Sequence, residues 1–358
     1  MDRRKFLKYS GIIMANLIFT KSLLAQKKHD NFVWMNIDKN WSEKDWEYAF
    51  NILSKANIKN INLSVHTNVF KNSIQKNRFD IEDFIIPLAK KHNIKIYGWF
   101  ITFLKNEKEL LTNHKNWFQI NKLGQSCIDH PPYVGYYRWL CPSNKDAREY
   151  LLTIINDLSK IKGLAGVHLD YIRYPDVILP IKLQEKYGIV QSKIYPQYDF
   201  CYCDTCKEKF EKETKLKFDP EKYEKEWEIF RLNNINSFVN TAYDIVHKNN
   251  KLLSAAVFPT PEMARKNVRQ QWDKWNIDLL FPMIYHNFYG ENINWIKKVT
   301  NHNLTKIKNT TKLYPGIFLP AIDNKNLKKV INLCYSTKAH GIALFSYNEE
   351  KIKILSEI

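Results

Sequence analysis

The stretch GVHLDYIRYPD, residues 166–176, reads as a strand that ends in a site. Val167 and Leu169 are apolar and β-favouring, and Gly166 sets them off from the helical pattern before them. Asp170, Arg173 and Asp176 then arrive together, interleaved with Tyr171 and Tyr174 and punctuated by Pro175. Strand alternation puts His168 and Asp170 on one face and Val167 and Leu169 on the other. An ionised aspartate on a buried face is costly unless it is paired or used. Asp170 is therefore read either as half of an ion pair with Arg173 or as a catalytic carboxylate.

Outward from this stretch, a rhythm of short apolar runs and longer amphipathic runs covers the chain from about residue 30 to its end. The strand-like runs are 31–37, 60–66, 94–102, 164–172, 252–259, 278–286, 312–320 and 341–347. Several helical runs open on a capping residue, such as Ser42 before Glu43 and Asp45. Eight strands alternating with helices predict an α/β fold, a (β/α)8 TIM barrel, as a single domain over 27–358. A doubly wound open sheet is the other candidate, but no glycine-rich phosphate turn follows the first strand. The connections after the third strand (103–143) and the fourth (173–224) are long, and in a barrel such connections build the active-site face. The opening stretch falls at the C-terminal end of strand four, where barrel enzymes carry their reacting groups.

The first 26 residues are set apart as a targeting segment. MDRRKFLK followed by a moderately apolar run from Ser10 to Leu24 resembles a twin-arginine export signal, which implies the export machinery as a partner and a periplasmic or extracellular location. Asp2 and Lys21 depart from the usual pattern. No other run approaches the length of a membrane span, so none is expected after export.

The formal charge of +18 invites a nucleic-acid reading, and about +14 is left without Asp2, Arg3, Arg4, Lys5, Lys8 and Lys21. Lysine greatly outnumbers arginine, however, and no dense basic run is interleaved with aromatics, so no nucleic-acid partner is expected. The 10 Trp, 20 Tyr and 20 Phe exceed what a core needs, and a site that stacks sugars would use the surplus.

GVHLDYIRYPD, FPMIYHNFY (281–289), AAVFPTPE (255–262) and YYRWLCPSN (136–144) together resemble the glycosyl hydrolase-like family ten, bacterial barrel glycosidases. The resemblance runs through most of residues 31–348 and implies a barrel acting on the O-glycosidic bonds of a polysaccharide or glycoconjugate. Such hydrolysis uses two carboxyl groups, about 5 Å apart for retention and about 6.5–9.5 Å for inversion. Asp170 is the first. Glu262, just past strand five, is the favoured partner, against its reading as an idle acid at a helix start. Asp38 after strand one is second choice; Asp323, Glu349 and Asp176 are further candidates. PMIYH is similar to strand six of chitinase-like enzymes, which implies that Tyr285 contacts ligand. Arg173 is expected to orient Asp170 or clamp a substrate carboxylate, and His168 to support from deeper on the same face. Trp99, Tyr137, Trp139 and Tyr289 are candidate stacking residues.

CYCDTC (201–206) has a C-x-C-x-x-C spacing within the fourth connection. Cys201, Cys203 and Cys206 can hold a structural zinc if Cys141 or His130 supplies a fourth ligand, or can form a disulfide in an oxidising compartment. Catalysis itself is expected to require no cofactor. Two other functions fit the same residues: a non-catalytic carbohydrate-binding barrel, and a metal-dependent hydrolase using His66, His168 and His286.

Overall fold

The computed structural model describes residues 29–38, 40–65 and 81–357. The targeting segment and His66 lie outside them. Among the described residues, nine parallel strands form one curled sheet: β1 (Asn31–Met35), β2 (Ile58–Ser64), β3 (Lys95–Ile101), β4 (Gly166–Asp170), β5 (Leu252–Val257), β6 (Leu279–Pro282), β7 (Lys312–Leu313), β8 (Gly316–Phe318) and β9 (Ala343–Phe345). Their order is β7-β6-β5-β4-β3-β2-β1-β9-β8. The order runs monotonically through the chain and then wraps around, so the reversal that defines a doubly wound sheet is missing. Every strand-like run of the sequence overlaps a strand. The seventh run supplies two, β7 and β8, separated by Tyr314 and Pro315. Pro315 has no N–H for a ladder, which accounts for the break. A parallel bridge between Met283 and Gly316 links the segment after β6 to β8.

Two buried clusters divide the strand side chains by parity. Val167 and Leu169 of β4 belong to the larger cluster, with Leu151, Ile155 and Leu158 of the helix Lys145–Lys160. Each such buried side chain contributes about 1.5–3 kcal/mol. The smaller cluster lies on the concave face and includes Phe32, Trp34, Tyr97, Trp99 and Phe281. Gly166 is required between them, because a Cβ there would come within 2.3 Å of the Leu252 carbonyl oxygen and 2.7 Å of the Tyr97 ring. The helix Glu43–Lys55 starts with the capping box expected of Ser42, whose N–H donates to Asp45 Oδ2 at 2.7 Å.

The segments after β3 and β4 are stitched together. Antiparallel bridges join Phe118 to Leu140 and Asn121 to Phe200, and the Tyr202 N–H donates to the Ile120 carbonyl at 2.8 Å. Among the described residues, no helix is long and apolar enough to cross a membrane.

Candidate active site

Register places Asp170 on β4 opposite Ile101 of β3, one layer above the pair Trp99–His168. The chain leaves β4 through Tyr171, a non-glycine residue at φ 50°. That left-handed conformation costs on the order of 1–3 kcal/mol and is typical of functional sites. It directs the Tyr171 N–H onto Asp170 Oδ1 at 2.7 Å, while Trp99 Nε1–H donates to Oδ2 at 3.0 Å. Asp170 is buried, and burial raises its pKa against the opposing pull of these two hydrogen bonds and of the Arg173 charge. A carboxyl that is held in place and disposed to keep its proton suits a general acid.

A cavity of about 400 Å³ opens over Asp170 at the C-terminal ends of the strands. Trp34, Trp99, Tyr137, Tyr171, Tyr285 and Tyr289 line it, with Arg173 and Asp176. A larger groove of about 980 Å³ runs over Lys145, Arg148 and Lys209 on the helices of the rim. None of the expected catalytic or substrate-binding residues lines that groove, whereas Trp99, Tyr137, Asp170, Arg173, Tyr285 and Tyr289 line the cavity over Asp170.

Arg173 does not pair with Asp170. Its guanidinium donates to Asp176 Oδ2 at 2.9 Å and to the Tyr174 carbonyl at 2.9 Å, and it packs over the ring of Trp139 at 4.9 Å. Trp139 is thus buried support beneath Arg173 and does not line the cavity. His168 is fully buried below Asp170, and burial lowers its pKa to about 3. It accepts from Trp34 Nε1–H at Nε2 (2.9 Å), so Nδ1 carries the proton and faces Ser254 Oγ at 2.9 Å. With both nitrogens occupied, His168 supports the floor and is no metal ligand. Tyr285 is buried in the wall, where desolvation raises its pKa far above the ordinary value.

Glu262 falls elsewhere. β5 ends at Val257, and Phe258-Pro259-Thr260 carry the chain over the rim into the helix Pro261–Val268, which Thr260 caps. Glu262 sits exposed in the first turn of that helix, 3.0 Å from His302 Nε2, and does not line the cavity. Asp38 is also exposed and accepts from the Asn40 N–H at 2.9 Å. Asp323 caps the helix Asn324–Tyr335, and Glu349 pairs with Lys353 at 2.7 Å. Among the described residues, the carboxylates lining the cavity are Asp170 and Asp176.

Several lining residues were not singled out in the sequence: Trp34, Phe258, Met283, Phe288, Phe318 and Phe345. Strand parity is a signal for Trp34, two residues from Phe32 on the same face. For Phe318 and Phe345 the strands are only three residues long, too short for alternation to speak. The sulfurs of Cys141, Cys201, Cys203 and Cys206 come together in a separate cluster.

A parallel, curled sheet carrying an aromatic cavity and two carboxylates at its C-terminal rim is an arrangement that barrel glycosidases share. Residues 60–315 match the family described as "Putative glycosyl hydrolase domain", and the chain belongs to that family. Among solved structures it is similar to the PgaB (BpsB) glycoside hydrolase domain from Bordetella bronchiseptica, with a TM-score of 0.63 and 12% identity over 90% of this chain and 95% of that one. The catalytic domain of β-amylase from Paenibacillus polymyxa superposes with a TM-score of 0.58 and 11% identity, covering 89% of this chain and 92% of that one. A β-galactosidase from Bacillus circulans sp. alkalophilus gives 0.59 and 12%, covering 89% and 50%. At these identities the likeness is one of fold. No curated protein matches in sequence.

Proposed function

We propose that the protein hydrolyses O-glycosidic bonds of a polysaccharide or glycoconjugate, with Asp170 as the catalytic acid and Asp176 as the second carboxylate. The observation that carries this reading is the meeting of these two aspartates in one aromatic-lined cavity. Asp170 gives its proton to the leaving glycosidic oxygen as the C1–O bond breaks. Asp176 takes up a proton from the water that adds at C1, or itself bonds C1 before water releases the sugar. Arg173 holds Asp176 in place through its 2.9 Å contact with Oδ2, and the developing positive charge of the sugar ring is met by that carboxylate. Trp99, Tyr137, Tyr285 and Tyr289 offer ring faces and hydroxyls to the sugars. This chemistry is complete in side chains and calls for no cofactor.

The nearer kinship with glycosyl hydrolase-like family ten rests on the quoted phrases of strands four and six. The eight-stranded closure follows if β7 and β8 count as one strand interrupted at Pro315, a reading supported by the Met283–Gly316 bridge. Export through the twin-arginine route to the periplasm or beyond is supported by RRKFLK at residues 3–8. A reporter fused to residues 1–26 that stays cytoplasmic would remove this last point.

The decisive experiment screens purified protein for new reducing ends on a panel of polysaccharides and then repeats the active case with Asp170→Asn. Hydrolysis abolished in a folded variant supports the assignment. Sugar binding without hydrolysis by the parent chain would make it a carbohydrate-binding barrel instead.

A further inference from the structure

We infer that Cys141, Cys201, Cys203 and Cys206 form a closed tetrathiolate site for one Zn²⁺, which clamps the segments after β3 and β4 to each other behind the wall of the cavity. The four sulfurs lie within 4.8 Å of one another. Cys141 Sγ is 3.6 Å from Cys203 Sγ and 3.4 Å from Cys206 Sγ. Sulfurs at about 2.3 Å from a tetrahedral zinc stand about 3.8 Å apart, so the cluster is already close to the geometry the ion demands. Two disulfides would divide the sulfurs into pairs, whereas here Cys141 stands nearly equidistant from two partners.

The cluster is held by backbone from three directions. Cys141 ends the bridged stretch after β3, and its N–H donates to the Trp117 carbonyl at 2.7 Å. Cys201 follows Phe200, which bridges to Asn121, and its sulfur faces the Ile120 N–H at 3.5 Å. Cys203 is the N-cap of the helix Asp204–Thr214, and the Cys206 N–H donates to its carbonyl at 2.9 Å. Cys141, Cys201 and Cys206 are fully buried and Cys203 is partly so, which leaves no open coordination position. Such closed sites are structural.

Two further observations point to a charged centre. A zinc tetrathiolate carries two net negative charges, and Arg148 and Lys209 both lie within electrostatic reach of Cys141. The Tyr174 hydroxyl is completely buried, has no hydrogen-bond partner among the described residues, and lies within reach of Cys206, Cys141 and Cys201. A metal-bound thiolate supplies the acceptor that this hydroxyl lacks. Tyr174 also accepts, at its carbonyl, the hydrogen bond from Arg173. The clamp therefore braces the residue next to the Arg173–Asp176 pair and acts as a positioning device for the cavity.

The test needs no catalytic assay. Full-length protein purified without chelator is analysed for metals, and bound metal is released with a mercurial thiol reagent while a zinc dye is read. The expected result is about one zinc per chain, freed as about four thiols react. Metal well below stoichiometry after growth with added zinc, iron in place of zinc, or disulfides mapped among these cysteines would each overturn the assignment. Cys203→Ser should lose zinc and open tryptic cleavage between Lys193 and Lys217, while Cys334→Ser, in the helix Asn324–Tyr335 and outside the cluster, should keep the full zinc content. If Cys203→Ser does not fold, the metal content and thiol stoichiometry of the parent chain still decide.

Discussion

Two buried arginine–aspartate pairs anchor the segment after β4, and they are chemically alike. Arg173–Asp176 closes at 2.9 Å and Arg231–Asp199 at 2.6 Å, and every one of these side chains is less than 10% exposed. Both guanidiniums lie over aromatic rings, Arg173 over Trp139 and Phe258, Arg231 over Tyr202 and Trp227. The difference is access. Asp176 borders the cavity over Asp170, whereas Asp199 receives the Tyr202 hydroxyl at 2.5 Å and a second guanidinium, Arg269, at 3.6 Å. Buried charge pairs of this kind often contribute little net stability, since desolvation offsets attraction. Burial of a carboxylate next to arginine therefore does not mark a site; a carboxylate that also faces an aromatic cavity does.

Asp170 is the third term of this comparison: buried, but with no cation bonded to it among the described residues. The largest expected effect follows. Asp170→Asn should lower kcat by on the order of 10²–10⁴-fold, the usual contribution of a general acid. The same change should leave the fold intact by circular dichroism. An active variant would transfer the acid's role elsewhere.

The two pairs are then separated by Asp176→Asn and Asp199→Asn. Each leaves a buried guanidinium without its carboxylate, a loss of about 3–5 kcal/mol. Denaturant unfolding should register both. Activity per folded molecule should collapse only for Asp176→Asn, and equal kcat/KM in the two variants would remove Asp176 from the catalytic pair.

A third, smaller effect lies in the pH dependence. The folded-state pKa of Asp170 is raised above its ordinary 3.8 by burial, so the folded chain holds this proton more tightly than the unfolded chain. Its contribution to stability is complete below 3.8 and is lost as pH rises through the raised value. Asp170→Asn should therefore unfold at a higher temperature than the parent chain, with the gap widening as pH rises from about 4. The kcat/KM of the parent should fall over the same rise, because the acid must be protonated.

How much of this was legible in the sequence depends on which physical signal is read. Period-two alternation places Asp170 inward and Val167 and Leu169 outward, and three of four clustered cysteines are visible as C-x-C-x-x-C. The placing of Glu262 outside the cavity follows from the route taken by Phe258-Pro259-Thr260 off the rim, which periodicity does not encode. The Arg173–Asp176 pairing is set by the left-handed turn at Tyr171 and by the packing of Arg173 on Trp139, a residue 34 positions earlier in the chain. Local pattern thus reads strands and their faces, while the partners of loop side chains follow from contacts far apart in sequence.

The smallest effect probes the hydrogen bond that distinguishes Asp170 from the paired aspartates. Trp99 Nε1–H donates to Asp170 Oδ2 at 3.0 Å and stabilises the charged form, opposing the effect of burial. Trp99→Phe keeps an aromatic ring in the floor and removes only this donor. The Asp170 pKa should then rise further, so the alkaline limb of the kcat/KM profile should move to higher pH. At the low-pH plateau, where the acid is already protonated, the rate should change far less than it does for Asp170→Asn. A limb that stays in place, or moves to lower pH, would mean that Asp170 is not the group titrating in catalysis.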